Sequence, residues 1–254
     1  MYLKSILTLS LILFLTSCFR KSPSSSEETL VDHAIFDSLL RKHVDANGLV
    51  NYQGFENDSI IFHEYLNVLG KNPPADSWTQ SEKLAYWINT YNAYTIELIL
   101  TYKPKESIKD ITNINIPFVN SPWQIEFIPI HDKIYNLDDI EHGIIRKEFD
   151  EPRIHFALVC AAMSCPKLRN EAYVGNKLEI QLIQQTRDFL RDTTKNHINS
   201  HEAKLSPIFK WYGSDFTKQG SLINFLNRYT PTSIEKNASV EFTDYNWALN
   251  KQGK

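Results

Sequence analysis

The chain has 254 residues, of which 42% are hydrophobic and 22% charged, with a formal net charge of −3 and three cysteines. This length is enough to bury the core of one domain. The slightly acidic balance argues against nucleic acid as a partner, because phosphate binding needs a basic surface. Three cysteines are too few for a scaffold that depends on disulfides.

The first 17 residues have the pattern of a bacterial export signal. Lys4 precedes an apolar run over residues 5–15, which is too short for a bilayer that needs roughly 20 apolar residues. The sequence LTSC at residues 15–18 then has the aliphatic, small, small, cysteine order that lipoprotein signal peptidase recognises. We expect cleavage before Cys18 and lipid attachment to its sulfur. The alternative is an ordinary secretory signal with an incidental cysteine.

These expectations place the protein in the cell envelope. Phe19, rather than an aspartate, follows the cysteine, which favours the outer membrane of a Gram-negative bacterium, with the domain facing the periplasm or the cell surface. Residues 18–29 are polar and rich in serine, as is typical of a flexible tether. Residues 30–254 are then a single globular domain. Its expected partners are the membrane, through the lipid, and an unidentified envelope protein or small molecule.

Hydrophobic periodicity predicts a helix-rich domain. The predicted helices are residues 30–44 with Thr29 as N-cap, 59–69, 79–100, 138–149, 176–191 and 221–228, with a short turn or helix at 205–212. The predicted strands are a short one after the Asn47-Gly48 turn, then 124–130 and 133–136 joined as a hairpin, 154–159 and 240–245. This mixture indicates an α+β fold around a small, mainly antiparallel sheet.

The helix predicted over residues 79–100 is the most informative element. Thr79 and Glu82 have the spacing of a capping box. The helix is apolar on almost every face, which is typical of a buried helix. Asn89 and Asn92 lie within it, and buried amides must find hydrogen-bond partners.

Four segments concentrate the residues that could carry chemistry. They are WINTYNAYT (87–95), LDDIEHG (137–143), RIHFALVCAAMSCP (153–166) and LSPIFKWYGSDF (205–216). In this order and spacing they resemble the uncharacterised domain-of-unknown-function family DUF547, over about residues 76–216. That family occurs in bacterial lipoproteins and, fused to a coiled coil, in plant proteins. The resemblance implies a fold and a set of signature positions, and it implies no established activity.

Nucleophilic catalysis by a hydrolase or transferase is one functional hypothesis. Cys165 would attack and His155 would act as base, while Asn89 or Asn92 would orient the imidazole or the oxyanion. The HFALVC stretch resembles the strand that carries the histidine in transglutaminase-like and papain-like proteins. Those proteins place the cysteine before the histidine, so the site would be permuted or degenerate.

Metal or thiol chemistry is a second hypothesis. His155, Cys160 and Cys165, with His142, could ligate zinc, but their spacing is looser than the usual cysteine pairs, and we predict no metal ligand set. Alternatively, Cys160 and Cys165 form a disulfide outside the cytoplasm. Alternation along a strand at 154–159 would place His155 and Cys160 on opposite faces.

A binding or scaffolding domain without turnover is the third hypothesis and the one that the sequence favours, because no catalytic constellation is complete. No cofactor is expected. The residues expected to line its pocket are Asn92, Tyr91, Glu141, His142, Arg153 and Trp211. Structural roles are expected for Asp138 and Glu141 as helix-capping carboxylates and for Gly143 as a point of close packing.

Overall fold

The structure, a computed structural model, describes residues 30–113 and 120–253. Helices dominate this part of the chain, which confirms the predicted helix-rich α+β class. The α-helices are α1 (Ala34–His43), α2 (Tyr52–Asn57), α3 (Ser59–Lys71), α4 (Gln80–Tyr102), α5 (Arg146–Glu148), α6 (Leu178–Arg191), α7 (Ile208–Trp211), α8 (Gly213–Thr217) and α9 (Leu222–Asn227). A π-helix, Asp139–Ile145, leads directly into α5. None of the helices in the described ranges combines the length and apolar character that a membrane span needs.

The central helix α4 organises the larger core. The predicted capping box is present, with the Thr79 hydroxyl accepting from the Glu82 amide and the Glu82 carboxylate accepting from the Thr79 amide. Most of its residues from Leu84 to Ile99 are buried. Because α4 is apolar on almost every face, it is packed against by several elements, among them α2, α3 and the π-helix.

Two small sheets complete the architecture of the described residues. The predicted hairpin is present as β1 (Ile128–Ile130) and β2 (Lys133–Tyr135), which pair antiparallel. The second sheet has the order β3-β4-β5, formed by β3 (His197–Ile198), β4 (Glu202–Leu205) and β5 (Ser239–Phe242). Strands β3 and β4 are antiparallel, whereas β4 and β5 are parallel.

A smaller second core lies beside this sheet. It is built largely from phenylalanine rings on the helices that follow residue 150, namely Phe156, Phe189, Phe209, Phe216 and Phe225. Phe209 and Phe216 have ring centroids 4.9 Å apart, as do Phe216 and Phe225. Aromatic pairs at this distance stabilise beyond the area they bury. The cluster therefore fixes α7 and α8 against the segment that contains His155.

The strand predicted at residues 154–159 is wrong. Pro152–Phe156 is a short 3₁₀ helix, which begins where the Glu151 side chain accepts from the Arg153 amide and Pro152 occupies the first turn. Proline at the start of a helix costs no backbone hydrogen bond. Residues 154–159 are mostly apolar because they are buried. A buried helical segment is as apolar as a buried strand, so composition did not distinguish the two.

Three smaller expectations also need correction. The short strand expected after Gly48 is reduced to an isolated bridge at Val50, because Asn51 caps α2 instead. A Cβ added to Gly143 would meet nothing within 4 Å, so this glycine does not mark close packing. Asp138 makes no side-chain capping bond. Thr29, the export signal at 1–17 and the tether at 18–29 lie outside the described residues.

Candidate functional site

A cavity of about 200 Å³ opens between the π-helix, residues 155–166, α7 and residues near the C-terminus. Most of its wall is aromatic, formed by Tyr91, Trp123, Trp211, Tyr212, Tyr245 and Trp247. The polar and sulfur-bearing groups that line it are Asp138, Glu141, His142, His155, Cys160 and Cys165. A concave, largely aromatic site with a few convergent polar groups is typical of a small-molecule site.

The side chain of Asn92 positions the segment that leads into the cavity. Its Nδ2 donates to the Ala157 carbonyl at 2.9 Å, and its Oδ1 accepts from the Val159 amide at 3.0 Å. Asn92 is 2% exposed, so these two bonds satisfy backbone groups that water does not reach. Residues 157–159 are thereby held against α4, directly before Cys160.

A tight turn then returns the chain to Cys160. Ala161 has a φ of 60°, in the left-handed region, and the Cys165 amide donates to the Ala162 carbonyl at 3.0 Å. The result is that Cys160 and Cys165, five positions apart, have sulfur atoms 2.8 Å apart. The Cys160 amide also donates to the Cys165 sulfur at 2.8 Å. Both residues are free thiols.

The two thiols differ in exposure and in acidity. Cys160 is half-buried, and Cys165 is buried. The hydrogen bond from the Cys165 thiol lowers the pKa of Cys160 and outweighs its burial, with a further contribution from Tyr245, whose hydroxyl lies 3.3 Å from the Cys160 sulfur. Burial raises the pKa of Cys165 well above its usual value. Cys160 is therefore the more acidic thiol, which is the reverse of the roles expected from the sequence.

His155 is hydrogen-bonded to Asp215 on another wall of the cavity. Its Nε2 lies 2.8 Å from Asp215 Oδ2, and Arg146 binds both oxygens of the same carboxylate at 2.7 and 3.1 Å. The imidazole stacks on Tyr212, with 3.8 Å between ring centroids. Hydrogen bonds from His155 and Arg146 hold the pKa of Asp215 well below its usual range.

The charge state of His155 follows from these contacts. Burial lowers the pKa of His155 despite the hydrogen bond to Asp215, so the imidazole is neutral near pH 7. Because the Asp215 carboxylate only accepts, Nε2 of the neutral ring carries the proton and Nδ1 is the basic nitrogen. The arrangement is that of an oriented general base.

The structure separates the predicted site residues into two groups. Those that line the cavity are Cys165, His155, Tyr91, Glu141, His142 and Trp211. Asn89, expected to be catalytic, lies outside it: its amide donates to the Tyr173 carbonyl at 2.7 Å and accepts from the Tyr173 amide at 2.9 Å. Both ends of that side chain are used within the core, so Asn89 is corrected to a structural clamp.

Asn92 and Arg153 are likewise absent from the cavity wall. Asn92 supports the wall indirectly, by its hydrogen bonds to the backbone of Ala157 and Val159. The guanidinium of Arg153 is held by the carboxylates of Glu151 and Glu179, with Nη1 2.9 Å from Glu179 Oε1. Its role is therefore to tie the 3₁₀ helix to α6.

Several residues of the site were not predicted. Asp215 lies in the last of the four sequence segments, but nothing in its spacing connects it with His155. Tyr245 and Trp247 come from the C-terminal region, outside all four segments. No group of three or more histidine, cysteine or acidic residues able to hold a metal ion is found among residues 30–113 and 120–253.

Comparison with known proteins identifies the region that carries most of this site. Residues 75–190 match the model of a family described as "Protein of unknown function, DUF547". Over these residues the chain is similar to that family. The DUF547 match includes α4, the π-helix and both cavity cysteines, whereas Asp215 and Tyr245 lie beyond it. No curated protein matches the chain, and no solved structure matches it either.

Replacing Asn92 tests how α4 positions Cys160. Asn92→Ala leaves the Ala157 carbonyl and the Val159 amide without their partner, which we expect to lower the free energy of unfolding in urea by about 2–5 kcal/mol. We also expect Cys160 to lose its selective reactivity with iodoacetamide. Asn89→Ala is the matched control, because it removes a similar clamp at Tyr173, so stability falls while Cys160 reactivity is retained. Equal reactivity in both variants would contradict the role assigned to Asn92.

The acidity of Cys160 gives a second prediction. Since the Cys165 thiol is the main cause of the lowered Cys160 pKa, Cys165→Ala should move the midpoint of Cys160 alkylation by iodoacetamide to higher pH. The midpoint is read by mass spectrometry of the Cys160 peptide between pH 5 and 10. Met163→Ala, an exposed change in the same loop, should leave the profile unchanged. A midpoint that stays the same in Cys165→Ala would show that Cys165 does not set the Cys160 pKa.

Proposed function

We propose that the cavity is a thiol–disulfide exchange site, in which Cys160 attacks a substrate disulfide and Cys165 resolves the mixed disulfide. The observation that carries the proposal is the 2.8 Å between the two sulfur atoms in the cavity wall. A disulfide has sulfurs about 2.05 Å apart. The thiols therefore need only a small approach to bond, and they need no rearrangement of the fold.

The difference between the two thiols supports this division of roles. The thiolate is the nucleophile in exchange, so the half-buried cysteine with the lowered pKa is suited to attack. The buried cysteine with the raised pKa stays protonated and unreactive until the mixed disulfide forms beside it. This order protects the site against alkylation or oxidation of Cys165 by other molecules.

The exchange consists of two displacements at sulfur. The Cys160 thiolate attacks one sulfur of a disulfide R–S–S–R′, the Cys160–S bond forms, and R′–S⁻ leaves with the electron pair of the broken bond. Cys165 then attacks the Cys160 sulfur, and its proton passes to the departing R–S⁻, which leaves as the thiol. The protein now holds a Cys160–Cys165 disulfide. Two electrons from an external thiol reductant return it to the dithiol form.

The rest of the cavity contributes binding and proton handling. The aromatic wall captures the substrate, so the binding role favoured by the sequence becomes the first step of the exchange. The Tyr245 hydroxyl, 3.3 Å from the Cys160 sulfur, is placed to donate to the thiolate. His155, neutral and oriented by Asp215, is a basic side chain of the cavity wall that can take up a proton during turnover.

A cysteine-dependent hydrolase or transferase is the second candidate, and the pairing of His155 with Asp215 favours it. The nucleophile would then be Cys160 rather than Cys165, because Cys160 has the lowered pKa. The two candidates differ at Cys165. Exchange requires it, whereas a hydrolase would keep its activity toward a thioester in Cys165→Ser and lose it in Asp215→Asn.

Reaction with the neutral chromogenic disulfide dipyridyl disulfide tests the exchange directly. The experiment uses the reduced full chain with Cys18→Ser. We expect two pyridinethione molecules per chain and a product that has lost two hydrogens and carries no adduct. Cys165→Ser should release one pyridinethione and keep a single adduct on Cys160. Cys160→Ser should react at least about tenfold more slowly, because a pKa raised by one unit lowers the thiolate fraction tenfold.

Three results would contradict the exchange proposal. One is a pair of stable adducts on the Cys18→Ser chain, which would mean that the cysteines do not resolve each other. A second is fast labelling of Cys165 in Cys160→Ser. A chain that stays unreactive until it is unfolded would also contradict it and would leave binding without turnover as the role of the cavity.

We further propose that the chain is exported and anchored in the cell envelope by lipid on Cys18. The proposal rests on the apolar run and the LTSC sequence at residues 15–18. Labelling of growing Gram-negative cells with a palmitate analogue should mark the chain and place it in the membrane fraction. Cys18→Ser should lose the label and leave the membrane fraction, whereas Cys160→Ser should keep both. An unlabelled parent chain would contradict lipidation.

A further inference from the structure

The wall of the cavity is acidic. Asp138 and Glu141 line it, and none of the described residues that line it is a lysine or an arginine. Glu141 is only 7% exposed, and the nitrogen of its ion-pair neighbour His142 is 3.9 Å away. Tyr212 shares a side-chain hydrogen bond with Glu141. Arg146 makes its own hydrogen bonds to Asp215 and His142 and acts on Glu141 only through a longer-range attraction. Buried carboxylates are normally paired with a close positive charge. Since Arg146 is engaged by Asp215 and His142 lies 3.9 Å away, the open space of the cavity beside Glu141 is where a second, closer cation would fit.

The aromatic wall favours the same kind of ligand. Tyr245 has its ring centroid 4.5 Å from that of Trp247 and 4.8 Å from that of Trp211. The faces of such rings attract cations that lie within about 6 Å of the centroid. The chain itself provides an instance, since the ammonium nitrogen of Lys109 lies 3.5 Å from the centroid of the Trp247 ring.

The donor set distinguishes between kinds of cation. A hard divalent ion takes six or more oxygen ligands, and no metal-binding group of three or more side chains is found in the part of the chain that the structure describes. A buried carboxylate that shares a cavity with aromatic rings instead matches an organic ammonium, which gains from charge pairing and from ring faces at once. The volume of about 200 Å³ suits a small head group.

We propose that the cavity binds an alkylammonium group, held between the carboxylate of Glu141 and the aromatic rings of the wall. For the exchange reaction this makes the substrate an amine-bearing disulfide, and in that respect the inference rests on the proposed function. Cation binding itself needs no turnover. The two can therefore be tested, and can fail, separately.

Binding is measured first, with tetramethylammonium as the probe and tryptophan fluorescence as the signal. Trp123, Trp211 and Trp247 line the cavity, so we expect a saturable change in the full chain with Cys18→Ser. Glu141→Gln should weaken the apparent affinity at least tenfold. Glu148→Gln is the matched control, because it makes the same charge change at an exposed position on α5, and it should bind as the parent chain does. Tetramethylammonium that gives no saturable signal, or that binds equally well to Glu141→Gln, would overturn the inference.

Reactivity is measured second, in the Cys165→Ser, Cys18→Ser chain. The probes are cystamine, its neutral analogue hydroxyethyl disulfide and its anionic analogue dithiodipropionate. Each rate constant is divided by that of a free small thiol with the same disulfide, which removes intrinsic differences between the reagents. We expect the normalised rate to be highest for cystamine, by at least tenfold over the neutral analogue, and this preference to disappear in Glu141→Gln. Equal normalised rates would overturn the assignment of substrate class.

The combined results separate the two proposals. Glu141-dependent binding of tetramethylammonium together with a chain that does not react with any disulfide would support the ammonium site and contradict thiol exchange. Rapid exchange with all three disulfides at equal normalised rates, with no binding of tetramethylammonium, would support exchange and overturn the ammonium site.

Discussion

The side-chain amide of Asn92 is the constraint on which the geometry of the site depends. Buried backbone groups must be hydrogen-bonded, and the amide of Asn92 satisfies Ala157 and Val159 where a neighbouring strand would otherwise do so. Asn92 belongs to the buried middle of a long helix, so residues 157–159 are held in place by a rigid element. The cysteine that follows is therefore placed against the core rather than on a loose surface loop.

The rest of the site is assembled around that fixed point. The left-handed residue at Ala161 turns the chain back so that Cys165 meets Cys160. On the opposite side, the phenylalanine cluster of the second core holds α8, and with it Asp215, against His155. The cavity thus lies where two cores meet. Its sulfur pair is supported by one core and its His155–Asp215 pair by the other. The two thiols therefore differ in acidity, because Cys165 is more deeply buried than Cys160 and its thiol donates a hydrogen bond to the Cys160 sulfur.

The burial and the acidic charge of the cavity wall suit the small cationic molecule that we propose as its ligand. Aromatic rings and a buried carboxylate form part of the wall. The positive charge of Arg146, which binds the same carboxylate as His155, is balanced by Asp215. A low local dielectric strengthens the remaining charges. These features connect the two proposals, because the groups that would hold a cationic substrate surround the thiols that would react with it.

The sequence by itself determined the helix-rich α+β class, the capped and buried helix α4, the hairpin β1–β2 and the segments from which most of the cavity is built. These properties depend on periodicity and capping within a few neighbouring residues, which a sequence displays directly. It could not distinguish a 3₁₀ helix from a strand at residues 154–159, because burial makes either one apolar. Only the tertiary structure decided that His155 pairs with Asp215, that Tyr245 reaches Cys160, and that Cys160 rather than Cys165 is the acidic thiol. Those relations join residues that are distant along the chain, or depend on the depth of burial, and neither leaves a pattern in the spacing of residues.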